Sequence, residues 1–165
     1  MNTGDFCIRP YRLSDLSSLS DLQAKMIKHH SPFDVSYYAL SPEAPAEFQN
    51  YLKERVDDPD FALFLAENLS KAPAGYVMGR IEIRPPIYLR RKMGYLSNIF
   101  VDEKFRRVGL GSRLAAKLLE WFHQKKVDFI EVTVNHLNQE AREEFLKLGF
   151  KPHLNRLLIH NERPV

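Results

Sequence analysis

Between residues 110 and 122 the chain repeats large apolar residues at intervals of three and four. Leu110, Leu114, Leu118, Trp121 and Phe122 fall on one side of a helix and form a continuous apolar stripe. A strand-like run from near Met93 to Val101 precedes this helix, and a second, Phe129 to Val134, follows it. Strand, helix and strand in that order form a parallel crossover. Upstream the rhythm differs. Phe61 to Glu67, Tyr76 to Ile83 and Met93 to Val101 are three strand-like runs joined by short connections, which predicts an antiparallel meander. A meander that feeds a parallel crossover makes the sheet mixed. The fold class is therefore α+β, with any ligand site expected where the sheet changes character.

The remaining elements fit around this frame. Phe6 to Arg9 reads as a short first strand. Ser14 is placed to cap a helix that carries Leu16, Leu19, Leu22 and Met26 on one side and ends at His29-His30-Ser31-Pro32. An aromatic loop with Phe33, Tyr37 and Tyr38 leads to Ser41-Pro42-Glu43, which starts a second helix with Phe48, Leu52 and Val56 at spacing four. Near the C-terminus the pattern predicts a helix over Gln139 to Leu148 and a last strand around Arg156 to His160.

Composition narrows the function classes. At 165 residues the chain is expected to form one domain spanning 1–165, and 44% hydrophobic with 27% charged residues is an ordinary globular balance. A formal net charge of +3 favours an anionic ligand but does not by itself imply nucleic acid. The single cysteine, Cys7, excludes an internal disulfide framework and is expected to be a small buried residue in the first strand. The longest apolar run, Phe61 to Ala66, is too short to span a membrane. With no hydrophobic signal region at the N-terminus, a cytoplasmic location is expected.

The segment Asp102 to Ser112 reads D-E-K-F-R-R-V-G-L-G-S. It joins a strand to the amphipathic helix, with two arginines ahead of two glycines. Glycine lets a backbone approach a ligand closely, helix-start N–H groups and the helix dipole attract an anion, and Arg106 and Arg107 add positive charge. This is not a Walker loop, because no Gly-Lys-Ser/Thr follows. Nor is it a dinucleotide fingerprint, which needs a third glycine. Arg106, Gly109 and Gly111 instead match a pattern of Arg or Gln, two residues, Gly, one residue, Gly or Ala. That pattern resembles the acyl-CoA pyrophosphate loop of the GNAT superfamily of N-acetyltransferases. The resemblance extends to Tyr95-Leu96-Ser97-Asn98-Ile99-Phe100-Val101, similar to the family's central strand, and to Asn138-Gln139-Glu140-Ala141 and Lys147-Leu148-Gly149-Phe150 downstream. Together these motifs cover roughly residues 61–152.

The resemblance implies a GNAT fold with a mixed sheet of six to seven strands, a parallel central pair and about four helices. It implies acetyl-CoA as co-substrate with no metal. Ile99, Phe100 and Val101 would face the pantetheine and thioester, and an N–H near Val101 would polarise the thioester carbonyl. Arg106, Arg107, Val108, Gly109, Leu110, Gly111 and Ser112 would hold the pyrophosphate. Asn138 has two compatible roles, ligand contact and N-cap of the last helix. The partners implied are acetyl-CoA and an amine acceptor, with a homodimer left open, and neither nucleic acid nor membrane.

Two positions depart from the family pattern. Ser97 stands where the central strand often carries a Glu base, and Phe145 stands where a Tyr often protonates the thiolate. Replacement bases are Ser97, through water, and Glu82 in the adjacent strand. Tyr95 is an alternative acid, and His29 and His30 are either dipole-favoured helix-end residues or substrate contacts. Arg84, Arg90, Arg91 and Lys92 crowd one turn, which is either a solvated tip or a lure for an acidic acceptor. The expected function is acetyl transfer from acetyl-CoA to a primary amine of a small molecule or peptide, by direct attack in a ternary complex. The alternatives are an acyl-CoA-binding sensor with little turnover and transfer of a different acyl group.

Overall fold

The computed structural model describes residues 6–160. Strands β1 (Phe6–Pro10), β2 (Phe61–Asn68), β3 (Pro73–Ile83), β4 (Lys92–Val101) and β5 (Phe129–Val132) form one sheet in sequence order. The first four pair antiparallel and β5 pairs parallel to β4. The helices are α1 (Leu16–His30), α2 (Ala44–Lys53), α3 (Leu110–Gln124) and α4 (Gln139–Lys147). The meander and the parallel crossover predicted from the sequence are both present.

Strand β2 explains why its sequence runs apolar instead of alternating. Phe61 to Ala66 are all buried, because helices cover both faces of the sheet. On one face Leu110, Leu114, Leu118 and Phe122 of α3 pack with Ala62, Phe64, Val77 and Leu96, joined by Phe145 of α4. On the other, Leu16, Leu19, Leu22 and Met26 of α1 and Leu52 of α2 pack with Leu63, Leu65, Tyr76, Met78 and Phe100. Gly79 and Gly94 let α3 sit close to the sheet, since a Cβ on either would fall 2.8 or 2.7 Å from the Phe122 ring.

The structure corrects several expectations. Residues 151–160 carry no regular structure, so the strand expected at Arg156 to His160 is absent and the sheet has five strands among the described residues instead of six or seven. Strand β5 stops at Val132 instead of Val134, and Val56 lies beyond the end of α2, exposed. Ser14 sits inside a 3-10 turn, Leu13–Asp15, that precedes α1, so it is not the cap. There Asp15 accepts the Arg12 N–H at 2.7 Å. Its carboxyl is held below its usual range, chiefly by the Arg9 guanidinium, which also binds Glu67 at 2.6 Å. Cys7 is exposed, not buried. Among the described residues no helix is long and apolar enough to cross a membrane.

Candidate functional site: a cleft where the central strands part

The parallel pairing of β4 with β5 covers only Met93 to Leu96 against Phe129 to Val132. Beyond it β5 has ended while β4 continues. Residues 98–101 stay paired with β3 and, among the described residues, have no neighbour on the β5 side of the sheet. A bulge lies where the parallel pairing stops: Met78 pairs with Asn98 and Gly79 with Leu96, so Ser97 is the extra residue. After the bulge Phe100 faces the α1 layer, while Ile99 and Val101 face α3. This leaves a strip of open backbone edge next to the start of α3.

The loop between β4 and α3 is shaped to complete that opening. Asp102 accepts the Lys104 N–H at 3.2 Å and starts a 3-10 turn, Glu103–Phe105. Burial works against the Asp102 charge, but the Lys25 ammonium overrides it and holds the carboxyl below its ordinary range. Arg106 returns its Nε–H to the Val101 carbonyl at 3.0 Å. Arg107 and Gly109 then adopt left-handed backbone, with φ of 63° and 76°. That turns the chain so that α3 begins at Leu110. Its first helical bond runs from the Arg113 N–H to the Gly109 carbonyl at 3.2 Å, so the N–H groups of Leu110, Gly111 and Ser112 have no helical acceptor. A Cβ on Gly109 would meet nothing within 4 Å, and one on Gly111 only the Val101 Cγ2 at 3.8 Å. The space over this helix start is open, and it suits an anion.

A cleft of about 440 Å³ joins these parts. It is lined by Ile99, Phe100 and Val101, by Phe105 to Arg107, by Gly109 to Ser112, by Asn138, Glu140, Ala141, Glu144, Phe145 and Leu148 on the α4 side, and by His29 and His30. The structure therefore brings together Ile99, Phe100, Val101, Arg106, Arg107, Gly109, Leu110, Gly111, Ser112 and Asn138. Val108 does not line the cleft and packs against the α3-side core instead. Asn138 is the N-cap of α4, its side chain accepting the Ala141 N–H at 3.1 Å. Phe145 is buried edge-to-face on Phe150, with ring centroids 5.4 Å apart, and offers the cleft only carbon.

The candidate bases, Ser97 and Glu82, are outside this cleft and share one cation. Arg80 donates to Ser97 Oγ at 3.0 Å and to Glu82 Oε1 at 2.8 Å. Its guanidinium also lies 4.5 Å over the ring of Tyr95, whose hydroxyl meets Thr133 Oγ1 at 3.0 Å. The Glu82 carboxylate is thus paired with Arg80 outside the cleft instead of facing into it. Glu131 stands beside Tyr95 in the parallel register and faces the same side. Neither Arg80 nor Glu131 is evident from motifs. The one available signal is a charged residue at an alternating position within an otherwise apolar strand.

The basic turn is largely engaged internally. Arg91 and Lys92 direct backbone N–H groups to Asp128 at 3.0 and 2.9 Å, and Lys92 Nζ reaches the Lys125 carbonyl at 2.7 Å. Arg91 Nε donates to the Arg84 carbonyl, and Arg84 stacks 3.7 Å over Tyr88.

The chain as a whole is similar to known proteins. The chain is 28% identical to the uncharacterized N-acetyltransferase MJ1207 of Methanocaldococcus jannaschii, over 87% of this chain and 62% of that protein, so it spans under two thirds of that relative's length. Its fold matches a tetramutant of the BH1408 protein of Bacillus halodurans, with a TM-score of 0.80, 21% identity and coverage of 94% of this chain and 99% of that one. It also matches the aminoglycoside N-acetyltransferase AAC(6')-Iy in complex with CoA, with a TM-score of 0.75, 18% identity and coverage of 96% and 95%. The profile of the Acetyltransferase (GNAT) family matches residues 25–150, which contain β4, its bulge, the loop, α3 and α4, and the chain belongs to that family.

Proposed function

We propose that the cleft binds acetyl-CoA and that the protein transfers its acetyl group to a primary amine of a small molecule or peptide, within a ternary complex. The observation that carries this reading is the continuity of two backbone features in one cleft. The helix start at Leu110 to Ser112 supplies N–H donors and dipole for a pyrophosphate, flanked by Arg106 and Arg107. The unpaired edge of Ile99 to Val101 supplies donors and acceptors for the amides of a pantetheine arm. The glycines leave the room such a ligand needs. That the structurally similar aminoglycoside N-acetyltransferase was solved with CoA supports the same donor.

In the transfer itself the amine must attack as the free base, although an ordinary lysine-type amine has a pKa near about 10.4. The acetyl carbonyl carbon gains the C–N bond, its oxygen becomes an oxyanion held by backbone N–H groups near Val101, and the C–S bond breaks. Release of free thiol from acetyl-CoA, followed over a panel of amines, tests the reading. Amine-dependent thiol release is expected. Tight binding of acetyl-CoA with no amine-dependent release would favour a sensor.

A further inference from the structure

We propose that His30, at the C-terminus of α1, is the proton-transfer residue of this site, carrying a proton from the acceptor nitrogen to the CoA sulfur. The inference rests on the acetyl-transfer reading above and names a residue for a step that the expected positions cannot perform. Ser97 and Glu82 are held by Arg80, and Phe145 has no proton to give.

The placement comes from α1. Met26 touches Asn98, the residue just past the bulge, with its sulfur 3.1 Å from Nδ2, and also contacts Tyr76. His30 follows Met26 by four residues, one helical turn, so it sits about 5–6 Å further along the helix. It lines the cleft together with Ile99 and Phe100. The imidazole neighbours two rings of the following loop, with centroids 6.0 Å from Phe33 and 5.5 Å from Tyr38, and is half-buried.

Charge favours the neutral form that the step requires. Burial, then His29, then Arg106 push the His30 imidazole below its ordinary value. The charged and titratable groups around it are His29 on α1, Tyr38 of the adjacent loop, Arg106 and Arg107 of the β4–α3 loop, and Glu140 and Glu144 on the opposite cleft wall; Asp34 of that loop is paired with His160 of the C-terminal segment. When the amine adds to the carbonyl, the nitrogen of the tetrahedral adduct carries an extra proton and becomes acidic. Neutral His30 accepts that proton. Collapse of the adduct then breaks the C–S bond, and the imidazolium gives the proton to the thiolate. The thiolate, with a pKa near about 8.5, takes it downhill. His30 returns to its starting state, and the products are amide and free thiol.

The test is steady-state kinetics of wild type, His30→Gln, His30→Phe and His123→Gln, with acetyl-CoA and one good amine, between about pH 5 and 8. The phenylalanine variant keeps a ring against Phe33 and Tyr38 and removes only the proton chemistry. Both His30 variants are expected to lose about 100-fold or more in kcat, the low end of what a positioned proton-transfer group supplies, with KM for acetyl-CoA unchanged. Expressed per free-base amine, the wild-type kcat should fall as pH drops through the His30 value, which lies below the ordinary imidazole range, and both variants should lack that limb. His123→Gln, which changes an exposed histidine in the last turn of α3 away from the cleft, should behave as wild type. Full kcat with an unchanged acid limb in His30→Phe would overturn the assignment. So would a loss seen only as weaker acetyl-CoA binding, which marks a structural role. A wild type with no amine-dependent thiol release overturns the acetyl-transfer reading and this inference with it. An active wild type with an equally active His30→Phe overturns the inference alone.

Discussion

The two halves of β4 solve different problems with different parts of the chain. From Ile99 to Val101 and on through the loop to Ser112, the site is made of backbone: an open strand edge, two residues in left-handed conformation, and a helix start. From Tyr95 to Ser97 it is made of side chains, and Arg80 ties Ser97, Tyr95 and Glu82 into one network. Backbone geometry depends on fold and glycine placement, so it tolerates wide sequence change. Side-chain chemistry depends on each residue. In this protein the backbone half carries Arg106, Gly109 and Gly111 in the spacing read from the sequence, while the side-chain half has Ser97, tied to Arg80, where the resemblance leads one to expect a carboxylate.

The sharpest way to break the comparison is to fill the backbone half. Gly111→Val adds side-chain atoms over the helix start, where a Cβ has only Val101 Cγ2 nearby, at 3.8 Å, so the unliganded fold should survive. At acetyl-CoA about 100 times its Kd, the wild type should gain about 2.7 kcal/mol, and the variant essentially none, as read by thermal shift. Gly75→Ala strikes the strand that builds the site. Its Cβ would lie 2.5 Å from the Phe100 carbonyl oxygen, a backbone atom that cannot step aside. Urea denaturation should show a loss of about 1–3 kcal/mol.

Changes in the side-chain half should act on rate, by smaller amounts. Ser97→Glu places a carboxylate beside Arg80, which would pair with it and depress its pKa, so kcat should not rise. The smallest effect is expected at the basic turn. Arg90→Glu changes an exposed charge that salt screens within about 8–10 Å, and the amine KM should move by less than about twofold.

The split also explains what the sequence could reveal. The α3 stripe, the meander and the crossover are legible because their spacing reports which side of an element is buried. The loop is legible because Gly109 and Gly111 sit at positions where a turn and an open approach require them. Arg80 reaches Ser97 only because the bulge shifts β4 against β3, and no local pattern encodes a register shift. Leu157, Leu158 and Ile159 have the composition of a strand, but a strand needs a partner edge, and residues 151–160 have none in the sheet. Cys7 alternates outward on β1, which its residue type does not reveal. His30 was legible as a helix-end residue, whereas its place in the cleft depends on how α1 crosses β4.

The central claim is that donor binding belongs to the backbone half alone. Calorimetric titration of acetyl-CoA into Arg80→Gln/Ser97→Ala, beside wild type and Gly111→Val, tests it directly. The account predicts that the double variant binds with the wild-type Kd while Gly111→Val shows no measurable heat of binding. A double variant that loses affinity as severely as Gly111→Val, or a Gly111→Val protein that binds normally, would contradict it.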